Sequence, residues 1–485
     1  MNWIRVGFGG HRTVRLLHYV ALLHSICQGI LVVDVSLYLQ SLGWNGLAIG
    51  GVLAVSGVFR SLWTIFSGDL NQYLGAKRFI MSFHLLCGAA ALVLSITANP
   101  VAICCATSLV GFGRGHSGSG GPTSPIERAW LRAYTRQRDA HATSVIFGMN
   151  AALGYLGMCI GSLIAALPSG LESWFPGAIA YRPVFVVVAA LSFACSWIIH
   201  LASGGERKQR RSVQSASDHD GADVSGRRSE NRDAWSNLLV VALIAIVVTV
   251  MTSHWNRWFP RAEMIGPLLP VLAALIVLAG KLSYRYAALA WHLYTGQSAS
   301  RGDLSSGQQA HAPNPLVNLI NSVAVALSST MTSYWFSARF HANEALIGIV
   351  ISFSYLATGV MTVVHTHLSN RLGPVKSLVV TQLFGALLVL ALPFAPWFWL
   401  AALLNAACMS LNLGSRGSRS LVVTARPRQP HSWQQRVTSI LILTLTTGAW
   451  PVAFGHMLDE GEYILPFSIA ASAQFLSALW LREQR

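Results

Sequence analysis

Charge is scarce in this sequence, and acid is scarcest of all. Eighteen Asp and Glu stand against 34 Lys and Arg, and charged residues fill only 11% of 485 positions. Soluble domains run near ~25% charged, so a chain that is also 53% apolar does not read as a string of soluble domains. Cysteine excludes two more classes. There are seven, at Cys27, Cys87, Cys104, Cys105, Cys159, Cys195 and Cys408, all in apolar runs and without C-x-x-C or metal-ligand spacing. That pattern offers neither a disulfide framework nor a zinc site, and fits small buried hydrophobes. No ATP-binding motif, soluble catalytic domain or convergent set of acid, base and nucleophile is visible. The reading is therefore not an enzyme, with no cofactor and no metal. A cleavable leader is not expected either, because the first apolar run is too long and lacks a small-residue cleavage site.

What the chain does have is long hydrocarbon runs. A helix needs about 20 apolar residues to cross a bilayer. Such windows fall near 15–40, 46–66, 79–98, 101–121, 143–167 and 181–202, then near 236–252 and 264–282. Six more follow near 316–338, 345–365, 377–395, 397–414, 435–456 and 463–481. These runs are continuously apolar, without the alternation of a barrel strand, so helices are expected. The expected fold is an all-α membrane protein with a six-helix bundle over 1–202 and another over 316–485. Between them come a cytoplasmic linker (203–235), an inserted transmembrane hairpin (236–291) and a second linker (292–315). The run at 236–252 is short, which leaves twelve spans as the alternative to fourteen.

The basic residues sort by loop. One alternate set of connections holds Lys77, Arg78, Arg128, Arg132, Arg136, Arg138, Arg207, Lys208, Arg371, Lys376, Arg426 and Arg428, among others; the opposite set holds Arg182, Arg257, Arg261 and Arg339 beside Glu172, Glu344, Asp459, Glu460 and Glu462. The Lys/Arg bias of short loops marks the cytoplasmic side. Both termini are thus expected in the cytoplasm and the chain in the plasma membrane. The net charge of +16 follows from topology rather than from nucleic acid. The "RGD" at Arg301 to Asp303 falls in a cytoplasmic linker and is discounted as an adhesion signal. The expected partners are lipid and a small-molecule substrate, with protons as a candidate coupling ion and a monomer as the working unit.

Sliding the chain on itself so that Asn45 meets Asn343 lays "NGLAIGGVLAVS" (45–56) over "NEALIGIVISFS" (343–354). The same shift of 298 residues carries Leu70 onto Leu368, Gly75 onto Gly373, Arg78 onto Lys376 and Arg138 onto Arg436. A constant offset that aligns polar loop residues as well as apolar ones points to two six-span halves in a parallel repeat. Such repeats place a binding site between the halves and move by rocking. The predicted spans at 236–282 fall outside the repeat.

These residues carry a resemblance. "SGDLNQYLGAKR" (67–78) resembles the major facilitator superfamily's signature loop, G-x-L-[AS]-D-R-x-G-R-[RK]. Gly68, Leu70, Gly75 and Lys77 match, and Arg78 completes the basic end; Gln72, Tyr73 and Ala76 depart from it, and Asp69 sits three residues early. The second copy keeps Leu368, Arg371 and Gly373, with Asn370 at the acid position and Lys376 opposite Arg78. The resemblance implies that these loops latch the halves in one conformation, more weakly where the acids are lost. A topology-setting basic turn is the plainer reading. "VGFGRGHSGSGG" (110–121) resembles the R-x-x-x-G-x-G motif of drug/proton antiporters through Arg114, Gly118 and Gly120. "GMNAALGYLGMCIGSLIAA" (148–166) resembles their G-x8-G-x3-G-P-x2-G-G motif through Gly148, Gly157 and Gly161, with Ser162 for proline and Ala165 and Ala166 for the glycine pair. Small residues let membrane helices approach closely, and that packing role needs no antiporter chemistry. "GRGHSG" (113–118) also satisfies the dinucleotide fingerprint. It lies in a predicted span rather than after a strand, so nucleotide binding is refused.

Ionisable side chains at bilayer depth are costly and are functional candidates by default. Asp34 is the only acid placed well inside a span, about two turns from the outer end of the first helix. Exposure alternating between a dry cavity and water lets a carboxyl take up and release a proton, which makes Asp34 the proton-coupling candidate. The alternatives are that it reaches the outer water or bonds a neighbouring helix. Arg114, His116 and Arg60 are candidates for substrate or counter-charge, although His116 also reads as a packed neutral histidine and Arg60 as snorkelling to the surface. His24, His84 and His365 also fall within spans. The function expected is secondary transport by alternating access: proton-coupled efflux of a small molecule, or nutrient uptake by symport or facilitation, or a transport-inactive sensor of the same fold.

Overall fold

Thirty residues from Arg12 to Ser41 form the first helix, α1. It is followed by α2 (Gly46–Leu74), α3 (Ala76–Ile96), α4 (Pro100–Val110), α5 (Ser124–Thr135), α6 (Ala140–Ile164), the short α7 (Leu167–Leu171) and α8 (Arg182–Leu201). The second half runs through α9 (Thr332–Phe340), α10 (Glu344–Leu372), α11 (Pro374–Ala391), α12 (Phe398–Gly414), a helical stretch at 450–459 and α13 (Ile464–Glu483). The computed structural model describes residues 11–113, 121–135, 140–202, 331–415 and 450–483. The expected hairpin and both linkers lie outside these, as do Arg114, His116, Gly118 and Gly120.

The described residues contain no strand, and seven of their helices are long and apolar enough to cross a membrane. Their outer faces support that medium. On α10 the stripe Ile349, Phe353, Leu356, Val360 and Val364 is exposed at helical spacing, with Val360 at 62%. A helix apolar both inside and out belongs in lipid, and the chain is a multi-pass membrane protein. Inside, the core joins Ile30, Val33, Leu39 and Ile49 to Phe185, Trp335, Tyr355 and Phe467.

The two helices superposed by the 298-residue shift are built alike. Both α2 and α10 have 29 residues. Each starts from an asparagine cap, Asn45 accepting from Ala48 N and Asn343 from Leu346 N, both at 3.0 Å. Each stops at a glycine in the left-handed region, Gly75 at φ 79° and Gly373 at φ 85°, where a Cβ is strained. Packing partners also correspond: α3 lies on α8 as α11 lies on α13, and α2 on α4 as α10 on α12.

Two expectations need correcting. The basic turn at 67–78 is not a loop of that length: "SGDLNQYL" continues α2 to Leu74, and Gly75 alone turns the chain into α3. Polar helix ends emerge from the hydrocarbon with their backbone bonds intact, so polarity there does not end the helix. The span expected at 101–121 is also interrupted: α4 stops at Val110, Gly111 and Gly113 adopt φ 78° and 77°, and a separate α5 begins at Ser124.

Small residues set one crossing. A Cβ on Gly161 would strike the Ile26 carbonyl, and one on Gly157 would lie 2.5 Å from the Leu22 carbonyl, so α6 rests directly on α1. Gly148, at the far end of α6, has open space around it. Gly161→Leu should therefore cost about 3 kcal/mol or more of stability through overpacking. Gly148→Leu should leave the melting temperature in detergent unchanged or slightly higher. Equal melting of the two variants would show that the crossing does not hold the half together.

Candidate functional site

The interruption of the fourth span is a finished piece of structure. The last carbonyls of a helix lack intrahelical partners, and here α2 and the following turn supply them. Ser56 Oγ donates to Thr107 O at 2.9 Å, Trp63 Nε1 to Leu109 O at 2.8 Å, and Phe112 N to Thr107 O at 2.9 Å. Irregular backbone at membrane depth is tolerated where it is packed in protein or lines a cavity. This stretch does both. Gly111, Phe112, Gly113 and Pro122 form one wall of a cleft, whose other walls come from α1, α2, α3 and Ser192 of α8.

Polar groups converge on this cleft. His24 and Gln28 stand one turn apart on α1, with His24 Nε2 and Gln28 Nε2 2.9 Å apart, so the amide donates to the imidazole. Arg60 reaches the cleft from α2 and runs over Gly111, where a Cβ would meet Arg60 Cβ at 2.8 Å. Arg60 lies fourteen residues before the end of α2, about 21 Å at 1.5 Å per residue. Behind His24, the fully buried His84 ring stands edge-on at 5.0 Å.

Asp34 lies one turn beyond Leu31, which lines the cleft, and is fully buried. Neither carboxylate oxygen has a hydrogen-bond partner among the described residues. The two alternatives weighed for it, outer water and a bond to a neighbouring helix, are therefore not what this conformation shows. Its neighbours along α1, Cys27 and Tyr38, touch α8: Cys27 Sγ lies 3.7 Å from Val188 O, and the Tyr38 and Phe185 rings are 5.0 Å apart. Lys77 serves its own half, donating to His200 O at 2.7 Å and Ala202 O at 2.9 Å, where a cation suits the end of α8. Arg78 and Arg371 are exposed near the single-glycine turns.

The halves meet at the end of the bundle that carries Ser41 and Gly46. Asp459 receives Gly46 N at 2.7 Å and Leu47 N at 2.8 Å, and Tyr334 OH donates to it at 2.9 Å. The first amides of α2 are thus satisfied by a carboxylate from the other half, and the third by Asn45. Gly46 and Gly50 press against Gly455 and Pro451, backbone to backbone. Tyr181 OH donates to Glu344 at 2.9 Å, and Cys159 Sγ lies 3.1 Å from Ser352 Oγ, again between halves. Sequence reasoning placed Asp459 and Glu344 only in loops. It named His24 but not Gln28, although a polar pair four residues apart in an apolar run is a readable signal.

No protein-family model matches the chain, and no curated protein matches it. Solved structures do. A peptide transporter POT in complex with sulfate covers 98% of this chain and 95% of its own, with TM-score 0.63 and 14% identity. The xylose transporter XylE from E. coli, in a partially occluded inward-open conformation, covers 97% and 99%, with TM-score 0.59 and 11% identity. A point mutant of the nucleoside transporter NupG covers 97% and 99%, with TM-score 0.58 and 12% identity. At such identities the likeness is one of fold: the helical architecture of the described residues is shared with these transporter structures.

Proposed function

We propose that this chain is a secondary transporter that moves a small molecule by alternating access, with the two helical halves as the rocking bodies. The observation that carries the reading is the junction at Asp459. The halves are sealed there by hydrogen bonds and glycine contacts that can separate without unfolding either half. With the termini in the cytoplasm, as the basic loops imply, the sealed end is the outer one and the conformation is an inward-facing one; the cleft itself is lined by described residues of the first half. The turns at Gly75 and Gly373, with Asp69, Asn370, Arg371 and Lys376 beside them, would hold the opposite, outward-facing state.

Coupling to protons through Asp34 completes the proposal, and efflux is the favoured direction because of the antiporter-like motifs. The same geometry serves uptake equally well, and the transporters that share the fold do not separate the two directions. The test is flux in proteoliposomes under an imposed pH gradient, with a nucleoside, a pentose and a dipeptide as probes. Gradient-dependent flux of one of them is the expected result, its direction separating efflux from uptake. Flux that ignores the gradient would remove the coupling, and ligand stabilisation without any flux would make the chain a sensor.

Asp459→Ala tests the seal more gently. A carboxylate on two amides at a helix start is worth about 1–2 kcal/mol, so its loss should shift the population toward the outward-open state about tenfold. Thiol labelling of a cysteine placed at the exposed Ser41 should speed up accordingly. Unchanged labelling would mean that Asp459 caps α2 without holding the gate.

A further inference from the structure

Two acids, one from each half, share the sealed end of the bundle. Asp34 stands about two turns before the end of α1 at Ser41, fully buried, with both oxygens unbonded among the described residues. Glu344 opens α10 in the other half; it is half-buried and accepts the Tyr181 hydroxyl at 2.9 Å. Tyr181, buried just before α8, links the two. Its ring packs at 5.6 Å on that of Tyr38, one turn beyond Asp34 on α1, and the charges of both Asp34 and Glu344 act on its hydroxyl. Glu344 acts on Asp34 as well. Of the other ionisable groups at this end, Glu172 acts on Tyr181 and Arg182 on Tyr38. Tyr334 is bonded to Asp459, Arg339 lies 5.2 Å from the Tyr463 ring, and His456 pairs with Glu460 at 3.3 Å.

We propose that Glu344 is the group that senses the charge of Asp34: with Asp34 protonated the Tyr181–Glu344 bond closes this end, and with Asp34 ionised that bond is opposed. The inference rests on the transport reading and deepens it, assigning to the second half the residue that responds to the proton. A neutral carboxyl is cheap to bury, whereas an ionised one without partners is expensive. The closed conformation, which leaves Asp34 buried and unbonded, therefore suits the protonated acid. When the proton leaves, two negative charges share a poorly hydrated corner and repel. The Tyr181 hydroxyl has one hydrogen, so it satisfies one carboxylate and not both. Parting the halves relieves the conflict, because Asp34 belongs to one and Glu344 to the other. The closed end holds the proton more tightly than the open end, so falling pH favours closing and rising pH favours opening. Glu344 is a positioning residue, acting through Tyr181.

The experiment uses the full-length chain in nanodiscs, without substrate, carrying spin labels at Ser41 and Glu460 in a background without native cysteines. Distances are read from about pH 5 to about pH 9, the range open to a buried carboxyl. In wild type the open-to-closed ratio should rise at least about tenfold across the series. Asp34→Asn should hold the acid-side distribution at every pH. Glu344→Gln, whose amide oxygen still accepts from Tyr181, should stay closed and lose the response, and Glu344→Asp, which keeps the charge, should restore most of it. Tyr181→Phe should raise the open fraction at every pH while keeping the response. A merely structural Glu344 predicts instead a wild-type response in Glu344→Gln. That result overturns the proposal, as does a wild-type distance that ignores pH or a response that survives Asp34→Asn. Gradient-driven flux beside any of these would leave transport standing without this inference. A response lost in Glu344→Gln and restored in Glu344→Asp, with no flux of any probe, would do the reverse.

Discussion

Gly455→Leu should abolish transport while leaving both halves folded. The Cβ of any larger residue at 455 would strike the Gly46 carbonyl, at the crossing where Gly46 and Gly50 meet Gly455 and Pro451. A leucine there makes the sealed end unable to close. Overpacking of about 3 kcal/mol, applied to one of two conformers, moves their ratio by about 100-fold, and flux should fall in proportion. The fold should survive because each half has its own packing, α3 on α8 and α11 on α13, away from the crossing. Spin labels at the exposed Ser41 and Glu460, in a background stripped of the seven native cysteines, read the gate directly. Their separation should lengthen in Gly455→Leu, and Gly50→Leu should reproduce it. Wild-type distances together with wild-type flux in both variants would end the case for two moving halves.

Asp34→Asn should remove pH-driven accumulation, by about 10- to 100-fold, the usual span of a coupling free energy. The amide keeps the shape of the carboxyl and cannot carry the proton. Asp34 is fully buried with neither oxygen bonded among the described residues, so the substitution breaks no recorded interaction. A buried charge without partners is expensive, so melting should be unchanged or raised, which separates a coupling defect from a folding defect. Substrate exchange without a gradient should persist. If Asp34→Asn and Asp34→Ala both retain full gradient-driven transport, protons are coupled elsewhere or not at all.

Hydropathy reported the medium well and the backbone less well. The windows for α3, α8, α11 and α12 fall within a few residues of the helices, because twenty apolar residues leave few alternatives in lipid. The same windows cut α2 short at its polar end, since a helix leaving the hydrocarbon keeps its hydrogen bonds. Averaging also hid the stop at Val110, where two left-handed glycines and donors from α2 do what no local hydrophobicity records. The likeness of α2 to α10 was legible because its markers are local: an asparagine that starts a helix and a glycine that ends it, repeated at one offset. The bond from Gly46 N to Asp459 spans 413 residues, and one chain read in order has no signal for it.

The way α2 begins has a use beyond holding the halves together. The Gly46 and Leu47 amide protons are held by a carboxylate of the other half, which the proposed rocking would withdraw. Deuterium should therefore enter these two positions at a rate set by opening, while the Ala48 amide, held by Asn45 of its own half, lags behind. Two backbone protons would thus serve as an unlabelled clock for the proposed opening of this end.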